Sequence, residues 1–113
     1  VTANGNTVME TLFPGSDHEM ISMYHLDGPE LVLTHYCAAG NQPRMKFSPE
    51  KSSATNLVFD FTGGTNLDPA KDGHIHNGRI RLSGEDRLQA DWVFHADGKA
   101  AGTNSLFLGR RAK

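Results

Sequence analysis

His74-Ile75-His76-Asn77-Gly78-Arg79-Ile80-Arg81-Leu82 runs into Ser83-Gly84-Glu85-Asp86 and returns as Arg87-Leu88-Gln89-Ala90-Asp91-Trp92-Val93-Phe94-His95-Ala96. Apolar and polar side chains mostly alternate on either side of a Gly-containing turn, which is the period of two antiparallel strands in a hairpin. Setting Leu82 opposite Leu88 puts Ile80 against Ala90, Gly78 against Trp92 and His76 against Phe94. An indole lying over a residue without a side chain is sterically favourable, so this register is self-consistent. The same parity carries His74 and His76 onto the face that holds Ile80 and Leu82.

The pattern repeats along the chain. Strands are expected at about 6–13, 19–26, 30–37, 44–48, 56–62, 74–82, 87–96 and 99–109, separated by clusters of Gly, Pro, Asn and Asp. Asp27-Gly28-Pro29-Glu30 and Asp97-Gly98 read as hairpin turns. Only Asp68-Pro69-Ala70-Lys71-Asp72 suggests a helical turn, with Asp68 as cap and Pro69 in the first position. One all-β domain over residues 1–113, an antiparallel up-and-down β-barrel, follows from this order.

The second hairpin pairs Leu26 with Leu31, Tyr24 with Leu33, Ser22 with His35 and Met20 with Cys37. The third pairs Trp92 with Thr103 and Leu88 with Phe107. The expected inward set is Tyr24, Leu33, His35, Cys37, Met45, Phe47, Leu57, Phe59, Phe61, His74, His76, Ile80, Leu82, Leu88, Trp92, Phe94 and Phe107. The turns near 27–30, 49–55, 83–86 and 97–98 are expected at one end. The irregular loops 14–18, 38–43 and 63–73 are expected at the other, where such loops line binding mouths. His35, Cys37, His74, His76 and His18 then gather at that rim, with His25 and His95 facing outward and His95 near the opposite end.

Two imidazoles two residues apart on a strand sit about 7 Å apart at Cα, close enough to share a metal. His35, His74 and His76 form the candidate metal set for Zn, Cu or Fe, and an apolar interior with imidazoles at its rim also suits haem. The ordinary alternative is a set of interior histidines satisfied by backbone and water. Arg44 beside the 38–43 loop could grip an anion bidentately, while Asn41, Gln42 and Arg44 could equally tie down their own loop. Cys37 beside imidazoles is a candidate nucleophile, although a cysteine at such depth is more often a small hydrophobe. Glu10 faces the interior, as a general-base candidate, or solvent, which is the ordinary reading. Arg79, Arg81, Arg87, Gln89 and Asp91 make an outward polar face of small energetic value. Gly63-Gly64-Thr65-Asn66 lacks the spacing of a nucleotide loop, and Asn66, Asp68 and Asp72 do not match a calcium loop.

A formal charge of -2 gives no basic footprint for nucleic acid. No apolar run reaches the ~20 residues of a membrane-spanning helix. One cysteine, Cys37, rules out an internal disulfide framework and leaves the compartment open between cytoplasm and export. Val1 in place of Met implies processing or a longer parent chain.

The segments Met9–Gly15, Tyr24–Gly28, Leu33–Cys37, Gly40–Met45, Gly64–Pro69 and Trp92 followed by Asp97-Gly98-Lys99 resemble a group of uncharacterised bacterial lipocalin-like proteins of the calycin superfamily. The stretch His35 to Met45 is the most specific part. The resemblance implies a calycin-type barrel and no particular activity. Nitrobindin-like haem barrels are similar at a greater distance, and none of their haem-ligating motifs maps onto a position here. The group's usual N-terminal Gly-x-Trp strand has no counterpart before Val1. That implies either a truncated chain or a shorter barrel; missing strands would leave open edges that a homodimer could cover, and eight strands can also close alone.

The resulting expectation is a lipocalin-like protein binding a small hydrophobic or partly polar ligand at a histidine-rich mouth. Tyr24, His35, Cys37, Arg44, His74, His76 and Trp92 would line that site. A metal-dependent hydrolase or lyase using His35, His74 and His76 is the catalytic alternative. An interaction module with a barrel filled by its own side chains is the third.

Overall fold

The computed structural model describes residues 2–84 and 86–109, so Glu85 of the 83–86 turn lies outside the described residues. Eight strands follow one another in a single antiparallel sheet: β1 (Thr7–Leu12), β2 (Met20–Asp27), β3 (Glu30–Tyr36), β4 (Gln42–Phe47), β5 (Asn56–Thr65), β6 (His74–Leu82), β7 (Arg87–Ala96) and β8 (Lys99–Gly109). Each strand bonds only to its sequence neighbours, so β1 and β8 are unpaired edges among the described residues. The sheet curls into a half-barrel. Side chains meet across the curl: Tyr24 of β2 touches Phe59 of β5, and His35 of β3 stacks on Trp92 of β7 with ring centroids 5.9 Å apart.

The core is Leu12, Met20, Tyr24, Leu33, Met45, Phe59, Ile75, Ala90 and Trp92. The expected pairs Tyr24–Leu33, Ser22–His35, Leu82–Leu88, Ile80–Ala90 and Gly78–Trp92 all occur. The segment at 68–72 is a hydrogen-bonded turn in which the Asp68 carboxylate accepts from the Ala70 N–H.

Three bulges change the parity that simple alternation predicts, because each adds one residue to one strand. In β6 the extra residue is His76, so Phe94 pairs with Ile75 and His95 pairs with His74. His76 therefore does not oppose Phe94. Ile75, absent from the expected inward set, is buried on the same side as Phe94. In β8 the register slips between Phe94 and His95, so Trp92 pairs with Asn104 and Leu88 with Leu108. Phe107 falls opposite Gln89 and stands 77% exposed rather than inward. Leu82 is exposed too, near the far end of its strand. In β5 the slip lies at Thr62, whose hydroxyl donates to the Arg44 carbonyl.

The β7–β8 turn is also corrected. Connections alternate between ends, so the seventh shares its end with the first, third and fifth. The Asp97 N–H reaches the Lys71 carbonyl, and Gly98 sits against Ala70. The 97–98 turn thus belongs with the irregular loops, and His95 comes to that end with it.

Candidate functional site

A cavity of about 850 Å³ opens at the end that carries these loops. Phe13, Pro14, Ser16, Asp17 and His18 of the β1–β2 loop form one wall, and Cys37, Ala38 and Ala39 form another. Met20, Ile75, Phe94 and Asn104 complete the lining. Phe94 is held in place by Gly73, where even a Cβ would come within 2.8 Å of its Cζ. The Asn41 amide donates to the Gly73 carbonyl at 2.9 Å and so ties two of the loops together. The 63–73 loop contributes no residue to the cavity wall, contrary to expectation.

The expected site residues divide into separate groups. Cys37 lines the cavity, half-buried and with a free thiol. Arg44 is exposed on β4, and its neighbours Asn41 and Gln42 do the loop-tying instead. Tyr24, His35 and Trp92 belong to a buried polar network behind Met20. His74 and His76 belong to an aromatic stack with Phe61 and His95.

The buried network is built by cross-strand register. Glu10 pairs with Ser22, and Ser22 pairs with His35, so one row crosses β1, β2 and β3. His35 Nε2 lies 3.3 Å from Met20 Sδ, and its Nδ1 lies 2.8 Å from Ser22 Oγ. A thioether has no proton to give, so His35 Nε2–H donates to it and Nδ1 accepts from the Ser22 hydroxyl. That uses the only Ser22 proton. The Glu10 carboxyl, next in the same row, accepts from the Tyr24 hydroxyl at 3.0 Å. Burial supports the neutral His35, lowering its pKa to about 4, and it raises that of Glu10. Burial and the neighbouring Glu10 also push the Tyr24 phenol up. Glu10 is therefore an inward residue. Trp92 Nε1 is buried without a hydrogen-bond partner among the described residues.

The histidine stack stands where β5 and β6 part company beyond the Phe59–Gly78 pair. The Asp72 carbonyl accepts from His74 Nδ1–H at 2.8 Å, leaving His74 Nε2 to accept from His76 Nδ1–H at 2.9 Å. His76 lies face to face with His95, with ring centroids 3.9 Å apart and planes 10° apart. Its other face meets Phe61. Burial, then His95 and His74, lower the His76 pKa to about 4; burial and His74 lower that of His95.

This geometry does not bring His35, His74 and His76 onto one ion. Both ring nitrogens of His35 are committed to Ser22 and Met20, and those of His74 to Asp72 and His76. Parallel imidazoles aim their lone pairs alongside one another rather than at a shared point. Among the described residues no group of three His, Cys, Asp or Glu is arranged to hold a metal. Nor does any helix have the length and apolarity to cross a membrane, among those residues.

Sequence reasoning left Glu10 open and passed over Met20, Ile75 and Asn104. The Glu10–Ser22–His35 row was available once β1 was registered on β2, because all three fall on one parity.

Together these features define an all-β, up-and-down half-barrel with a ligand-sized cavity at its loop-bearing end. Compared with family models, curated proteins and solved structures, the chain matches none.

Proposed function

We propose that this is a small lipocalin-like binding protein that takes a compact, largely apolar ligand at the mouth of the half-barrel. The cavity carries the reading. Its volume of about 850 Å³ lies within the range of roughly 300–1,000 Å³ common for small-molecule sites. Its walls are mostly hydrocarbon and aromatic, with a few polar groups at the loops. The site so defined differs from the histidine-rich rim expected from alternation: His18 lines it, while His35 stands one contact behind, through Met20. The cavity also favours this reading over a barrel filled by its own side chains.

The test is titration with the neutral apolar dye Nile red. Saturable fluorescence enhancement is expected, and Ala39→Trp, which fills the mouth, should abolish it while leaving the unfolding transition in place. Absence of binding to the parent protein, or undiminished binding to the Trp variant, would sink the reading.

A further inference from the structure

We infer that the cavity selects an alkylammonium ligand, an amphiphile with a cationic head and an apolar tail, over a carboxylate of the same length. The inference rests on the cavity being a binding site and adds the charge it accepts. Phe13, Pro14, Met20, Ile75 and Phe94 supply the surface for a tail. Asp17 is the one lining residue, among those described, with a formal charge at neutral pH; no Lys or Arg lines the cavity.

The same loop carries a second acid. Glu19 Oε2 accepts from the Gly15 N–H at 2.7 Å, which fixes the loop that presents Asp17. An anionic head entering here would lose water without gaining a cation, the costly way to bury charge. An ammonium head can pair instead with the Asp17 carboxylate, while the phenylalanines and their apolar neighbours take the tail. Charge and lining therefore point the same way.

The probes are octyltrimethylammonium, octan-1-ol and octanoate, titrated at pH 8 into the intact chain and into Asp17→Asn. Octyltrimethylammonium is expected to bind more tightly than octanoate by about fivefold, since Asp17 attracts the one head and repels the other. In Asp17→Asn that preference should collapse while octan-1-ol still binds saturably, which shows the variant's cavity to be intact. Octanoate binding as tightly as the ammonium, or a preference that survives Asp17→Asn, would overturn the inference. If octan-1-ol and both ions all fail to bind, the cavity reading itself falls, and the selectivity with it.

Discussion

Gly78 shows how one residue can fix a register. A Cβ built there would overlap Cε3 and Cζ3 of Trp92, a ring that is almost wholly buried and stacked on His35. The collision involves the six-membered part of the indole, which cannot move without disturbing the centre of the core. Gly78→Ala is therefore expected to cost roughly 2 kcal/mol or more, at the upper end of ordinary overpacking. Urea unfolding measures it, and a loss below ~0.5 kcal/mol would mean that the indole has room to yield. This contact was legible, because a bulky residue opposite a glycine is visible in the paired sequences. Asp91 was less so. It was placed on the outward face correctly, but as a weak surface partner. It is buried there, and although burial raises its pKa, hydrogen bonds from Ser105, Gln89, Arg81 and Arg79 hold it down to about 2. Ser105 arrives from β8, whose register the bulge near His95 alters. A buried carboxylate with four donors is a stronger feature than an exposed ion pair.

At the scale of the strand, bulges decide what alternation can tell. The β6–β7 hairpin reads correctly from Leu82 to Gly78 and fails beyond it, since His76 is the added residue. No side-chain pattern announces that insertion: His74, Ile75 and His76 alternate as smoothly as any strand. The consequence is that burial, and then the neighbouring imidazoles, favour the neutral forms of His76 and His95. The folded pKa values of His35 and His76 are lowered to about 4, and that of His95 is lowered as well. For each of these groups the unfolded state binds more protons than the folded one between pH 6.5 and the folded value. Stability then falls as pH drops through that window. Glu10 acts in the opposite sense, because its raised pKa favours folding as the carboxyl protonates. Asp91 adds its loss only below its ordinary value of 3.8, toward about 2. Three histidines outweigh one carboxyl, so urea midpoints should decline from pH 6.5 to 4.5. His76→Phe keeps an aromatic ring between Phe61 and His95 while removing a proton site. It should reduce the slope of stability against pH by about one proton. An unchanged slope would show that the stack does not resist protonation.

For the whole molecule, the meander was legible and its closure was not. Strand order, antiparallel sense and most hairpin registers follow from local alternation and turns. Whether the first and last strands meet depends on accumulated twist and on three bulges, and neither has a local signature. The result, among the described residues, is a sheet with two free edges, of which β8 is the more exposed. Leu106 alone on it is partly buried, and no charged residue falls between Ala100 and Gly109. β8 also has a bonded neighbour on one side only, whereas β7 is bonded on both and supplies Trp92 and Ala90 to the core. Opening free energy should therefore rise steeply from β8 to β7. Native-state hydrogen exchange is expected to show the β8 amides exchanging by local opening, with the amides of β2, β3 and β7 reaching the global value. The edge-to-edge homodimer expected from the sequence would use this same strand, so protection at 100–109 also reports on it. Protection that climbs with protein concentration would mean that a second copy covers the edge, because pairing is a mass-action term. Protection independent of concentration but equal to that of β7 would contradict the open half-barrel itself, since an uncovered edge strand has too little burial to hold its amides closed.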